Sequence, residues 1–322
     1  MKKTTAPSPL NLTLQGRNLC FHYILTCMGP KIDLVFMEKV FNLLSKRKIS
    51  VCKSKRLAER ESDCIEMILS SVVAYDPVAL TKTCADLSEE YNVDMIVQNA
   101  DAYFLEKQLV VLDNDSTLVA AEVIDELAKE ALVGDRVMKI TQRAMNGEIP
   151  FKEALRERVR LLKGMHTSTL DNVHKRIAYT PGAFTLTTVL RKRGCKTAVL
   201  TGGFDFFAAR VQKELKLDYM FANRLEIKNN KVTGEVLGEI VDGQRKLALM
   251  EEIARKEGIP LERVVAVGDG ANDLPMITKA GLGIAFNAKP SVRKVAPYNI
   301  TQKSLTTILY LFGLSEGEIL QR

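Results

Sequence analysis

Several features are missing from this sequence, and each absence narrows the reading. Its six cysteines, Cys20, Cys27, Cys52, Cys64, Cys84 and Cys195, form no C-x-x-C pair, so zinc and dithiol redox motifs are not expected. They sit inside apolar runs, as reduced core cysteines do, which suits a cytoplasmic compartment. No apolar run reaches the roughly 18 residues that a membrane-spanning helix needs. The opening MKKTTAPSPLNLTLQ has a basic pair with no apolar stretch behind it, so it reads as a frayed tail and not a secretion signal. The sequon Asn11-Leu12-Thr13 then carries no meaning, because glycosylation needs a secreted chain. The spacing of an EF-hand, internal repeats and low-complexity tracts are all lacking.

Aromatic residues are few, at 6%, and this bears on the charge. A net charge of +7 and a pI near 9.0 raise the question of nucleic-acid binding. Yet the densest basic stretches, SKRKISVCKSKR (45–56) and RERVRLLKG (156–164), have almost nothing to stack on bases. They read as solvated helix or strand faces, and neither nucleic acid nor membrane is expected as a partner. A positive balance does suit small anionic substrates.

What is present is an ordinary globular chain of 322 residues, 46% hydrophobic and 26% charged, long enough for one large or two medium domains. Residues 1–104 read as their own unit in the order β-α-β-β-α-β, a ferredoxin-like α+β arrangement. CFHYILTCM (20–28) is a strand, and Asp33 starts a helix with Phe36, Met37, Val40, Phe41 and Leu44 on one face. ISVCKSKRLAE (49–59) and SDCIEMILSS (62–71) pair, Asp76-Pro77 opens a helix with Leu80, Cys84 and Leu87 buried, and VDMIVQNA (93–100) is the last strand.

Residues 105–322 alternate strands with helices, which predicts an α/β domain with a parallel, Rossmann-like sheet. The strands are QLVVL (108–112), KTAVL (196–200), RVVAVG (263–268) and GLGIAF (281–286). A helical insertion spans about 118–178, and LEIKNNKVTGEV (225–236) is a hairpin with an Asn229-Asn230 turn. Thr180-Pro181 is expected to cap the helix that follows the insertion.

Chemistry gathers where these strands end. The first runs into Asp113-Asn114-Asp115-Ser116-Thr117, the second into Thr201-Gly202-Gly203, and a later one into GDGAND (268–273). Ligands bind at the carboxyl ends of parallel strands, so Asp113, Asp115, Thr201, Asp269, Asn272 and Asp273 should share one crevice. Four carboxylates in one crevice cannot all ionise unpaired, and a hard cation such as Mg²⁺ relieves the conflict. The glycines let backbone N–H groups approach an anion, and Lys246 supplies a positive charge. On this reading Asp113 is a nucleophile and Asp115 an acid/base.

These motifs resemble the four motifs of the haloacid-dehalogenase superfamily. The segments AEVIDELAKEA, AMNGEIPFKEALRERVRLLKG, GGFDFFAARVQKELKLDYMFANRLEI and VGDGANDLPMITKAGLGIAFNAKP further resemble its phosphoserine phosphatase family, over about residues 108–312. The resemblance implies Mg²⁺-dependent hydrolysis of O-phospho-L-serine through an aspartyl-phosphate on Asp113, the last step of serine biosynthesis. Asp115 matches the general acid/base. Asp113, Asp269 and the backbone carbonyl of Asp115 match the metal ligands, with Asp273 supporting them. Thr201, Gly202 and Lys246 match the phosphate-binding groups, with Asn272 beside them. Glu122 and Arg158 match the groups that hold the serine amino and carboxylate ends, and Met145 and Phe151 match apolar positions over the substrate. The insertion then acts as a lid that excludes water.

One departure is Thr201, where the family usually has serine. Asn114 stands at a variable position, its side chain expected to point away from the phosphate. The first domain resembles an ACT domain in its element order, which implies a homodimer and binding of a free amino acid such as L-serine, or a docking module without ligand. Two other readings stand beside hydrolysis of phosphoserine. One is the same fold acting on a different small phosphate ester, or transferring the phosphoryl group to an alcohol such as homoserine; the other is an amino-acid sensor with a vestigial site. The intact set Asp113, Asp115, Lys246 and Asp269 speaks against the sensor.

Overall fold

The computed structural model describes residues 20–60, 62–145 and 148–321. The expected frayed tail with its sequon lies outside the described residues. The chain divides into two compact units: Lys107–Thr306, and Met1–Glu106 together with Thr307–Arg322. The last segment therefore packs with the first unit, whereas the reading from sequence placed it in the domain 105–322. Its apolar LTTILYLFGL pattern identifies a buried segment without saying which core buries it.

The first unit holds β1 (Phe21–Gly29), β2 (Ser50–Ala58), β3 (Asp63–Ser71) and β4 (Asp94–Asn99) in the antiparallel order β2-β3-β1-β4. With helices after β1 and β3, this is the ferredoxin-like arrangement expected. Alternation along β1 sends Tyr23, Leu25 and Cys27 to the helix-covered core and Ile24 to the opposite face. Asp33 caps the helix Leu34–Ser45 by accepting from the Phe36 amide, and that helix buries Phe36, Val40 and Leu44. Phe41 was expected on the same stripe but is 45% exposed, since it lies off the 36/40/44 row. The second helix breaks into Pro77–Lys82 and Ala85–Tyr91, with Cys84 at the junction. On the other sheet face, Gln98 donates from Nε2 to the Leu311 carbonyl, at 3.2 Å, and Tyr103 donates to Glu66.

The second unit is built on β5 (Leu109–Leu112), β6 (Lys196–Phe204), β7 (Tyr219–Lys228), β8 (Lys231–Leu237), β9 (Val264–Gly268), β10 (Leu282–Phe286) and β11 (Tyr298–Ile300). Their order is β11-β10-β9-β5-β6-β7-β8, all parallel except the β7–β8 hairpin. Every residue of β5, β9 and β10 is buried, which is why these strands read as unbroken apolar runs. Asn229 and Asn230 take φ of 51° and 58°, the left-handed pair a tight hairpin needs.

Between β5 and the helix Ala183–Lys192 that precedes β6, the described residues form four helices: Val123–Glu130, Gly134–Met145, Phe151–Arg160 and Thr167–Arg176. They pack through Val123, Leu127, Leu155, Val159, Leu170 and Val173. The helix Ala183–Lys192 is preceded by Gly182 at φ 81°, and not capped by Thr180-Pro181. A side chain at Gly182 would collide with Ser304 and Thr306, so that position tolerates neither another conformation nor another residue.

Candidate active site

β5 lies between β6 and β9, so the loops leaving all three open on one edge of the sheet. There a cavity of about 620 Å³ is lined by Asp113, Asp115, Thr201, Gly202, Asp269 and Asn272 from the strand ends, and by Glu122, Phe151 and Arg158 from the helical insertion. Met145 closes its helix, and its side chain lies outside the described residues.

The centre of the site is Lys246, fully buried although it carries an ammonium. Asp242 caps the helix Gly243–Glu257 by accepting from Arg245 N, and that helix carries Lys246 inward. Its Nζ lies 2.7 Å from both Asp113 Oδ1 and Asp273 Oδ1. Burial alone opposes its charge, but the two carboxylates prevail and hold the amine protonated well above its ordinary range. Two of three ammonium protons are thereby spent, and the third is free for a further acceptor.

Asp113 accepts both Lys246 and the Asn114 amide on Oδ1, so neither of these donors engages Oδ2. Asp273 is occupied at both oxygens, by Lys246 and by the Gly270 amide at 2.9 Å. Gly268 is required at the strand end because any Cβ there would fall 2.3 Å from the Asp273 carboxyl carbon. Carboxylate oxygens of Asp113, Asp269 and Asp273 lie within 4.8 Å of one another. Three carboxylates thus gather around one buried ammonium, and full ionisation would leave more negative charge than Lys246 offsets. Burial, followed by the nearby Asp273, pushes Asp113 well above the usual carboxylate range, with Lys246 opposing. Burial, then Asp273 and Glu122, pushes Asp269 up to about 7. An all-oxygen donor set with that charge deficit fits a hard divalent cation. Asp273 already accepts a donor on each oxygen, from Lys246 and from the Gly270 amide, which leaves it fewer unshared oxygens than Asp113 and Asp269.

Asp115 sits against the turn Thr201-Gly202-Gly203, where a Cβ on Gly203 would lie 3.3 Å from its Oδ2. Burial first, and Glu122 second, push its carboxyl up to about 7, so near neutrality it can both give and take a proton. The structure places this turn in the final residues of β6, and not after the strand. Thr201 Oγ1 accepts from the Gly203 amide at 2.8 Å, so its own proton is free to donate. Gly202 is close-packed, since a Cβ would stand 3.1 Å from Phe151 Cζ.

Glu122 is exposed to the cavity and accepts from Ser116 Oγ at 2.8 Å. Arg158 donates from Nε to the Ala154 carbonyl at 3.3 Å, and burial lowers its affinity for a proton while Asp125 and Glu122 raise it. The insertion thus offers one anionic and one cationic head over the carboxylate cluster.

The sequence pointed to these side chains but missed three that hold them. Asn223, fully buried, donates from Nδ2 to the Gly202 carbonyl and accepts from the Val241 amide, each at 2.8 Å. A lone amide inside the strand FANRLEI was the available signal. Thr117 Oγ1 reaches Asp269 Oδ1 at 3.4 Å. Asn114, expected to point away from the phosphate, donates to Asp115 Oδ1 at 2.6 Å. Among the histidines, His166 caps the helix Thr167–Arg176 and His174 faces Glu214, neither in the cavity.

Comparison with known proteins agrees with this geometry. Residues 110–278 match the family model of haloacid dehalogenase-like hydrolases. A phosphoserine phosphatase of Archaeoglobus fulgidus is 51% identical over 239 residues, 74% of this chain and 70% of that protein. One from Saccharomyces cerevisiae is 40% identical over 308 residues, 93% of this chain and 99% of that protein. The solved structure of a HAD family hydrolase from Salmonella enterica superposes with a TM-score of 0.80 at 29% identity, over 90% of this chain and 98% of that one.

Proposed function

The chain belongs to the haloacid dehalogenase-like hydrolase family, and from that premise we propose that it hydrolyses O-phospho-L-serine to L-serine and phosphate, using Mg²⁺. The observation that carries this reading is the buried Lys246 held between Asp113 and Asp273, with Asp113 lining the cavity.

The residues divide the work as follows. Thr201, the Gly202 amide and the remaining Lys246 proton hold the phosphate oxygens. Arg158 pairs with the substrate carboxylate, and Glu122 with its ammonium; Arg suits a carboxylate because it donates two parallel N–H groups. Phe151 and Met145 close over the substrate and exclude water. Asp113 Oδ2 attacks phosphorus as the bond to the serine oxygen breaks, and Asp115 gives its proton to that oxygen. Water then attacks the aspartyl-phosphate, Asp115 takes a proton from it, and the bond from phosphorus to Asp113 breaks. Inorganic phosphate leaves and both aspartates return to their starting state. Mg²⁺, held by Asp113, Asp269 and the backbone carbonyl of Asp115, with Asp273 in support, neutralises charge on the transferring group when bound.

We place Asn272, which lines the same cavity, beside the phosphate-binding groups. We read the unit Lys107–Thr306, with its cap at about 118–178, as the phosphatase domain, and the unit that residues 307–321 rejoin as an ACT-like domain that pairs two chains and binds a free amino acid such as L-serine. A cytoplasmic location fits six cysteines that are all free.

The test is phosphate release from O-phospho-L-serine beside O-phosphoethanolamine, which lacks the carboxylate, and glycerol phosphate, which lacks both charged ends. Selective release from phosphoserine supports the reading. Equal rates on all three would move the substrate elsewhere and remove the roles of Glu122 and Arg158.

A further inference from the structure

Asn114 separates two cavities of the second unit. On one side Asp115 lines the active-site cavity. On the other, Asn114 itself lines a smaller cavity of about 280 Å³, with Val119, Val123, Phe207 and Val211 among its apolar walls. Asn114 is 2% exposed, and its Oδ1 is buried with no hydrogen-bond partner among the described residues. An apolar side chain of the same size would meet those walls without stranding a carbonyl oxygen. What the amide adds is a single bond, from Nδ2 to Asp115 Oδ1 at 2.6 Å. The orientation of the amide is dictated by chemistry, since turning it over would set a carbonyl oxygen against a carboxylate.

The bond distinguishes the two oxygens of Asp115. Oδ1 accepts the shorter bond, 2.6 Å against 3.4 Å for the Val123 amide on the other oxygen, and so is the harder of the two to protonate. The other oxygen, Oδ2, is the nearer of the two to the Gly203 end of the phosphate-binding turn, at 3.3 Å against 3.6 Å from the Cβ position there. We propose that Asn114 is a positioning residue that holds Asp115 by Oδ1 and so aims Oδ2 at the oxygen leaving phosphorus. The inference rests on the reading of Asp115 as general acid. In the step concerned, the phosphorus–oxygen bond breaks with its electron pair on the serine oxygen, and the proton on Oδ2 moves to that oxygen. Asp115 is left as a carboxylate, ready to take a proton from water.

The role makes a prediction that mere packing does not. A serine alkoxide needs its proton; a nitrophenolate departs without one. Asn114→Leu, near in volume, should lower kcat/KM for O-phospho-L-serine by about tenfold or more, while that for p-nitrophenyl phosphate changes by less than about twofold. In an Asp115→Asn background, Asn114→Leu should have no further effect on phosphoserine. Asn114→Ala serves as the second variant, since it only adds volume to a cavity already present. Equal losses on both substrates, an unchanged rate on phosphoserine, or the same factor in the Asp115→Asn background would each overturn the proposal. If Asp115→Asn itself hurts both substrates equally, the general-acid reading falls and the role of Asn114 falls with it. If Asp115→Asn is selective and Asn114→Leu is not, only the role of Asn114 is lost.

Discussion

The two sheets of this protein treat buried polar groups in opposite ways. In the parallel sheet of Lys107–Thr306 they converge: Asp113, Thr201 and Asp269 leave adjacent strands at the same edge. In the antiparallel sheet of the first unit they scatter across a face: Thr26 and Gln98 are buried at 0% and 3%, with Glu66 and Tyr103 bonded to each other. The cause is topological. Parallel strands all end on one edge, so the residues that follow them meet, whereas antiparallel neighbours end on opposite edges. Convergence concentrates charge, and concentrated charge is what binds a cation and a phosphate. Scattered polar groups are met one at a time or not at all: Gln98 bonds the Leu311 carbonyl and Tyr103 bonds Glu66, while Thr26 Oγ1 has no partner among the described residues.

That contrast can be broken or sharpened by substitution. The largest effect is expected at Asp113. Asp113→Asn keeps the shape but removes the nucleophile, and turnover should fall by about 10³-fold or more with the melting temperature little changed. Lys246→Ala comes next and should act on both stability and rate, because it strands buried carboxylates. Denaturant titration should show a loss of about 3–5 kcal/mol, and added Mg²⁺ should recover part of it. Arg158→Gln should raise KM for phosphoserine by about 10–100-fold, the worth of a charge-assisted bond, and spare phosphate esters without a carboxylate. The smallest effect belongs to the scattered face. Tyr103→Phe leaves Glu66 without its donor and should cost about 1–3 kcal/mol in unfolding free energy, with kcat unchanged. A large loss of kcat there would end the contrast.

The sequence announced the convergent half far better than the scattered one. LVVL before two aspartates is legible because a fully buried strand is an unbroken apolar run and the charges beyond it stand out. The Asn229-Asn230 turn and the Asp33 and Asp76 caps are legible because each is decided by neighbours in sequence. The break at Cys84 and the return of residues 307–321 to the first unit are decided by contacts distant in sequence. Asn223 and Asn114 escaped for a similar reason. An isolated amide states that it is polar, and only the fold shows what it holds: the Gly202 carbonyl in one case, the Asp115 carboxylate in the other.

The central claim is that phosphorus passes through Asp113. The direct measurement is the mass of the Asp113 peptide from protein mixed with Mg²⁺ and O-phospho-L-serine and quenched in acid within the first turnover. A phosphoryl group on Asp113, absent when the metal is chelated, is the result predicted. Phosphate released within that turnover with Asp113 never modified, or the phosphoryl group found on another residue, would contradict it.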